Sequence, residues 1–147
     1  MGLGGFHFTE TMAGTFTRAG SSDEKRISFT ATARARSWLR HLRDHQALLD
    51  GTVQMDGFAS RAPLAGTLYI NPLLGKVIRY QFDFTADDGK PYTFRGQKDV
   101  SLMDVVGTMT TLPATITDGS GHTVATALLK FDVKRLSSFL GSFRPGS

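Results

Sequence analysis

Arg26-Ile27-Ser28-Phe29-Thr30-Ala31-Thr32-Ala33-Arg34-Ala35-Arg36 alternates apolar and polar side chains along its length. Successive residues of a strand face opposite sides of a sheet, so Ile27, Phe29, Ala31, Ala33 and Ala35 share one dry face and the polar set shares the wet one. Val77 to Ala86 repeats the pattern, with Ile78, Tyr80, Phe82, Phe84 and Ala86 against Arg79, Gln81, Asp83 and Thr85. The aromatic face is expected to look inward.

Working outward, Asp87-Asp88-Gly89-Lys90-Pro91 supplies an Asp-Gly turn and then a residue that cannot donate to a ladder. Val77 to Ala86 and Tyr92 to Val100 are therefore expected to form a hairpin. Asp118-Gly119-Ser120-Gly121 marks a second, between Thr108 to Thr117 and Thr123 to Val133. Further strands are expected at Phe6 to Phe16, Thr52 to Ala59 and Gly66 to Ile70. Ser37 to Leu49 reads differently: Ser37 suits an N-cap, and Trp38, Leu42, His45 and Leu49 fall along one helical face. The spacing of Leu136, Phe139, Leu140 and Phe143 predicts a C-terminal helical turn.

About eight strands in one small domain must hide their edges, by closing into a barrel or by folding into two facing sheets. The expected fold is all-β: a closed, antiparallel, lipocalin-like barrel with one short helix and a C-terminal helical turn, the alternative being a two-sheet β-sandwich. Gly14, Gly57, Gly66 and Gly96 favour the barrel, since glycine within a strand permits the coiling that closure needs. The 147 residues suit a single domain, residues 1–147, with no repeat or linker.

Composition narrows the function. The absence of cysteine removes disulfides, thiolate metal sites and a cysteine nucleophile, and suits a reducing cytoplasm. The N-terminal residues lack the layout of a secretion signal or a lipid anchor. No apolar run approaches the ~20 residues of a membrane-spanning helix. The net charge of +4 is concentrated around Arg34, Arg36, Arg40 and Arg43, on polar faces, and no nucleic-acid partner is expected. No dinucleotide fingerprint, phosphate loop or Gly-x-Ser-x-Gly elbow occurs, so no cofactor is expected. His41 and His45 stand four apart but lack the glutamate of a metalloprotease motif; a packed His45 and a solvated His41 are expected, with no metal.

Two charged residues depart from this background. The inward set of the first strand reads Phe6, Phe8, Glu10, Met12, Gly14, Phe16; that of the hairpin's second strand reads Tyr92, Phe94, Gly96, Lys98, Val100. A lone buried charge costs several kcal/mol, so Glu10 and Lys98 are expected to pair inside the domain or to reach water at strand ends.

The segments Phe8-Thr9-Glu10-Thr11-Met12-Ala13-Gly14, Asp88-Gly89-Lys90-Pro91-Tyr92-Thr93-Phe94-Arg95-Gly96-Gln97-Lys98, Thr110-Thr111-Leu112 and Leu140-Gly141-Ser142-Phe143-Arg144, taken together, give a resemblance. The chain resembles a small β-rich accessory domain of bacterial proteins that also carry a glucose-methanol-choline oxidoreductase of the cholesterol-oxidase type, sometimes with an α/β-hydrolase. The resemblance implies association with sterol or other lipid metabolism and an oxidoreductase or hydrolase partner, and it brings no catalytic residues. The chain departs from that context in having no flavin-binding portion and no tryptophan just before Thr110.

The expected function is binding of a hydrophobic small molecule in a cavity lined by Phe8, Glu10, Met12, Tyr80, Phe82, Phe84, Tyr92, Phe94 and Lys98. The rival readings are a cofactor-free cyclase or isomerase that moves protons with Glu10 and Lys98, and a structural domain that docks or self-associates through Leu136, Phe139, Leu140 and Phe143.

Overall fold

The structure is a computed structural model and describes residues 6–35, 45–71, 77–99, 111–131 and 144–145. Nine strands follow in order: β1 (Phe6–Arg18), β2 (Glu24–Ala35), β3 (Gln46–Met55), β4 (Ala59–Asn71), β5 (Val77–Thr85), β6 (Pro91–Asp99), β7 (Thr111–Asp118), β8 (Thr123–Phe131) and β9 (Arg144–Pro145). Each of β1 to β7 pairs antiparallel with the next. Pairing of β1 with β8, from Met12↔Phe131 to Arg18↔Ala125, closes the circuit. This is an eight-stranded up-and-down barrel, and closure excludes the sandwich. The short β9 pairs with Phe6 and His7 beyond the end of β8.

Alternation sorts the two faces as the sequence implies. Phe8, Met12 and Phe16 of β1, Ile27 to Ala35 at odd positions of β2, and Tyr80, Phe82 and Phe84 of β5 are buried in one continuous core. The outward face carries Arg26, Arg79, Asp83, Arg95 and Lys130, together with rungs such as Thr9 to Thr32 at 2.8 Å and Thr11 to Thr30 at 2.9 Å between hydroxyls. An apolar lumen inside a charged wall reverses the arrangement of a barrel that spans a lipid bilayer. No described helix is long and apolar enough to cross a membrane.

Closure bends the sheet at glycines. A Cβ on Gly14 would stand 1.9 Å from the Leu128 carbonyl oxygen, and one on Gly66 would stand 1.9 Å from that of Gln81. Neighbouring strands approach there more closely than any other residue allows.

Three boundaries differ from expectation. Gln46 to Leu49, expected as the last turn of a helix, begin β3: Ala47 and Leu49 are buried between exposed Gln46 and Leu48, a period of two, and β2 and β4 flank them. Residues 36–44, the rest of that expected helix, lie outside the described residues, as does the expected C-terminal helical turn. Thr52 to Ala59 is not one strand: a tight turn at Asp56, Gly57 and Phe58 ends β3, and β4 starts at Ala59. Gly57 therefore serves a left-handed turn position, at φ 73°, instead of a strand bend. β4 also starts well before the expected Gly66, with a bulge opposite Val53 and Met55.

Candidate functional site

The up-and-down order puts the connections 19–23, 56–58, 86–90 and 119–122 at one end of the barrel. Residues 36–44, 72–76, 100–110 and 132–143 connect strands at the other. The lumen differs along that axis. At the turn end Phe58 swings in from its turn and packs edge-on against Tyr92 at 4.8 Å and against Phe16 at 6.3 Å between ring centroids. The Arg18 guanidinium covers the same ring at 4.9 Å. At mid-height Phe82 and Phe94 stack at 4.5 Å, and Phe29 of β2 meets both edge-on at 5.4 and 5.6 Å. These rings satisfy one another.

Above Phe29 the composition changes. Phe29 touches Tyr80 at 5.8 Å, and the Tyr80 hydroxyl donates a short hydrogen bond to Glu10 Oε1. Strands β1 and β5 lie four apart in either direction around the eight, so this bond crosses the lumen from wall to opposite wall. Lys98 Nζ, from β6, lies 5.2 Å from the centre of the Tyr80 ring, a cation on an aromatic face. Glu10 is 7 % exposed and Lys98 5 %, and they are the only buried charged residues among those described. Besides Phe8, which pairs with Ala33, inward residues around this level include the small or aliphatic Ala31, Ala33, Ala35, Ala47, Leu49 and Ile78.

Burial pushes the Glu10 carboxyl above its ordinary value, opposed by the Lys98 charge and the Tyr80 hydrogen bond. Burial pushes Lys98 down, opposed by Glu10. Tyr80 is pushed well up, first by burial and then by the charge and hydrogen bond of Glu10. Desolvation leads in all three, which marks one shared apolar setting. The chemistry on offer is a hydrogen-bonding head in a dry pocket, or a proton passed between phenol and carboxylate.

All nine residues expected to line a cavity are buried and face inward: Phe8, Glu10, Met12, Tyr80, Phe82, Phe84, Tyr92, Phe94 and Lys98. Met12 pairs with Phe29 at mid-height, and the other eight divide into two groups. Phe82, Phe84, Tyr92 and Phe94 belong to the self-packed aromatic floor. Phe8, Glu10, Tyr80 and Lys98 lie toward the other end, and the expected meeting of Glu10 with Lys98 is mediated by Tyr80, which touches both. The two inward tyrosines differ, because the Tyr92 hydroxyl leaves the lumen and donates to Asp88 Oδ2 at 2.7 Å. His45, expected inward on a helical stripe, instead precedes β3, half-buried with its ring 5.9 Å from that of Tyr69, on which the exposed Arg79 also lies. His41 lies outside the described residues.

Sequence reasoning put Phe29 and the alanines on the dry face of their strand without assigning them to the site, and it passed over Phe58. Asp56-Gly57 before Phe58 is itself a hairpin signal, and the alternate alanines of β2 announce a wall of small residues. The chain matches no protein-family model, no curated protein and no solved structure.

Proposed function

We propose that the barrel binds a hydrophobic small molecule, lipid or sterol-like, on top of its aromatic floor, with the ligand's polar end at Glu10, Tyr80 and Lys98. The observation that carries this reading is three polar side chains from three strands converging inside an otherwise apolar lumen. Structure alone gains little from them, since well-packed apolar residues in place of a buried charge pair are often neutral or stabilising. A ligand that needs the polar atoms supplies the reason to keep them.

The alanines favour the same place. An eight-stranded barrel is just wide enough for side chains to fill, so where alanines face inward the wall itself takes up least of the lumen. The three polar side chains are themselves buried within the lumen, Glu10 and Lys98 among the least exposed charged groups described. In the role that the resemblance implies, the barrel would hold lipid for an oxidoreductase or hydrolase partner.

Native mass spectrometry of the purified protein, before and after exposure to a lipid extract, tests the reading. The expected result is a discrete small-molecule adduct, retained by Phe16→Leu at the turn end and weakened about tenfold by Tyr80→Phe, as befits loss of one buried hydrogen bond. No adduct under any loading condition would sink it. The hydrogen bond between Tyr80 and Glu10 also favours a cofactor-free isomerase or cyclase, with Glu10 as the base. In that case Glu10→Gln abolishes turnover of a bound ligand while leaving its affinity.

A further inference from the structure

We propose that the outer wall of the barrel holds a second site, for a small phosphorylated polyol, with Arg61 on the phosphate. A recess of about 620 Å³ opens there between β2 and β4, lined by Ser28, Phe29, Thr30, Thr52, Gln54 and Arg61. Phe29 keeps its ring in the lumen and gives only backbone to this surface. Ser28 and Thr30 of β2 stand opposite Gln54 and Thr52 of β3, which makes a polar patch on the outward face. Arg61, near the start of β4, is the one charge among the described residues of the lining.

Three observations single out Arg61. Its guanidinium has no ion pair or hydrogen-bond partner among the described residues, whereas Arg18 lies on the Phe58 ring, Arg34 meets Asp50, Arg79 donates to Gln97 and Arg95 reaches Gln81 and Thr117. Its backbone sits at φ 44°, left-handed and strained for a residue with a Cβ. The third is what holds it there: β3 and β4 shift register between Val53 and Met55, and the Arg61 amide donates to Gln54 Oε1 at 2.9 Å. That bond occupies the Gln54 oxygen and leaves its amide nitrogen as a donor. Glycine takes such a conformation without strain, so an arginine kept there beside a hydroxyl-lined recess indicates a role for its side chain. An adjoining recess of about 580 Å³ shares Ser28 and Gln54 but is lined by both Arg26 and Asp56, whose charges offset. Among the described residues no carboxylate lines the Arg61 recess. A guanidinium fork matches the oxygens of a phosphate, and wall hydroxyls that both donate and accept suit the hydroxyls of a polyol.

NMR titration of the isotope-labelled full chain with inositol monophosphate, inositol and inorganic phosphate tests the site residue by residue. Inositol monophosphate should shift the amides of Thr52, Gln54 and Arg61 saturably, with half-saturation at least about tenfold below that of either fragment. Arg61→Gln should abolish that preference. Arg61→Gly, which relieves the backbone, should melt no lower than the wild type and lose the preference as well. A free polyol phosphate and a phosphoinositide headgroup present the same chemistry, and cosedimentation with phosphatidylcholine vesicles, with and without phosphatidylinositol phosphate, separates them. Binding to the phosphoinositide vesicles alone, displaced by inositol monophosphate, identifies the headgroup as the source; solution binding with no vesicle binding identifies the free compound. No saturable shift, shifts confined to other residues, equal half-saturation by all three compounds, or a preference that survives in either variant overturns the proposal. So does a lower melting temperature for Arg61→Gly, which would make the arginine structural. The wild-type titration stands without any variant, and because the recess lies outside the lumen, its failure leaves the lumen reading in place.

Discussion

The two ends of the barrel solve the problem of a small lumen in opposite ways. At the turn end, Phe16, Phe58, Phe84 and Tyr92 fill the space, and the carboxylates of Asp87, Asp88 and Asp118 bond at the turns. Asp87 accepts from the Ser60 amide and hydroxyl, both at 3.0 Å, and Asp118 Oδ1 accepts from the Ser120 and His122 amides at 2.9 and 3.0 Å. Toward the other end the wall is lined with alanine, and a carboxylate, a phenol and an ammonium point in. Stability without function needs only the first arrangement. The second carries a desolvation cost that a purely structural core avoids, and that contrast is what supports the proposal of a folding end and a binding end.

The largest effect should come from the floor. Phe82 is fully buried between Phe94 and Phe29, and Phe82→Ala should destabilise the barrel by about 3–5 kcal/mol in chemical denaturation, through lost burial plus the cavity left behind. A change below 1 kcal/mol would mean the stack can collapse into free space, and the contrast between a filled end and a recognition end would not hold. Next comes Glu10→Gln, expected to cost on the order of 3 kcal/mol because it removes the carboxylate charge that favours the buried Lys98 ammonium. Replacing both residues, Glu10→Gln with Lys98→Met, should cost less than Glu10→Gln alone. A double variant weaker than the single one would show that the two charges do not act on each other.

The barrel was legible because its signal is local and repeated. Alternation in β2 and β5 and the Asp-Gly turn at Asp88 need no tertiary knowledge, and even the inward placement of Glu10 and Lys98 follows from counting by twos. What failed was the end of the expected helix: in sequence Leu49 continues the spacing of His45, while the ladder that makes Gln46 to Leu49 a strand is supplied by β2 and β4, distant in sequence. The role of Tyr80 was hidden for a different reason. In sequence it is one aromatic among several on β5, and only closure brings the opposite wall, with Glu10, within reach of its hydroxyl.

The two inward tyrosines turn the comparison into a matched pair of substitutions. Tyr80→Phe removes the hydrogen bond that crosses the lumen and leaves Glu10 without that donor, for an expected loss of about 1–3 kcal/mol. Tyr92→Phe removes a bond to Asp88 at the rim, where water replaces it, and should shift the melting temperature no more than a surface control. Equal losses would indicate that the Tyr80 hydroxyl is as well solvated as that of Tyr92.

The smallest effect is a slope. Glu10 titrates higher in the folded barrel than its ordinary 4.5, so just above that value the folded chain binds more protons than the unfolded one, and stability falls as pH rises. Lys98 titrates below its ordinary 10.5; approaching that value from below, the unfolded chain binds the extra proton, and stability climbs with pH. The wild type should therefore show a shallow trough between the two, superimposed on its other titrations. Each group contributes at most about 1.4 kcal/mol per pH unit. Subtracting the profile of the Glu10→Gln, Lys98→Met double variant isolates the site, because the exposed carboxylates of Asp88 and Asp118, which titrate low, are common to both proteins. Urea denaturation at unit steps from pH 4 to pH 10 gives the difference curve directly. A flat difference would show that Glu10 and Lys98 titrate alike in the folded and unfolded chains, as side chains in water do, and the recognition end would lose its two charges as distinguishing features.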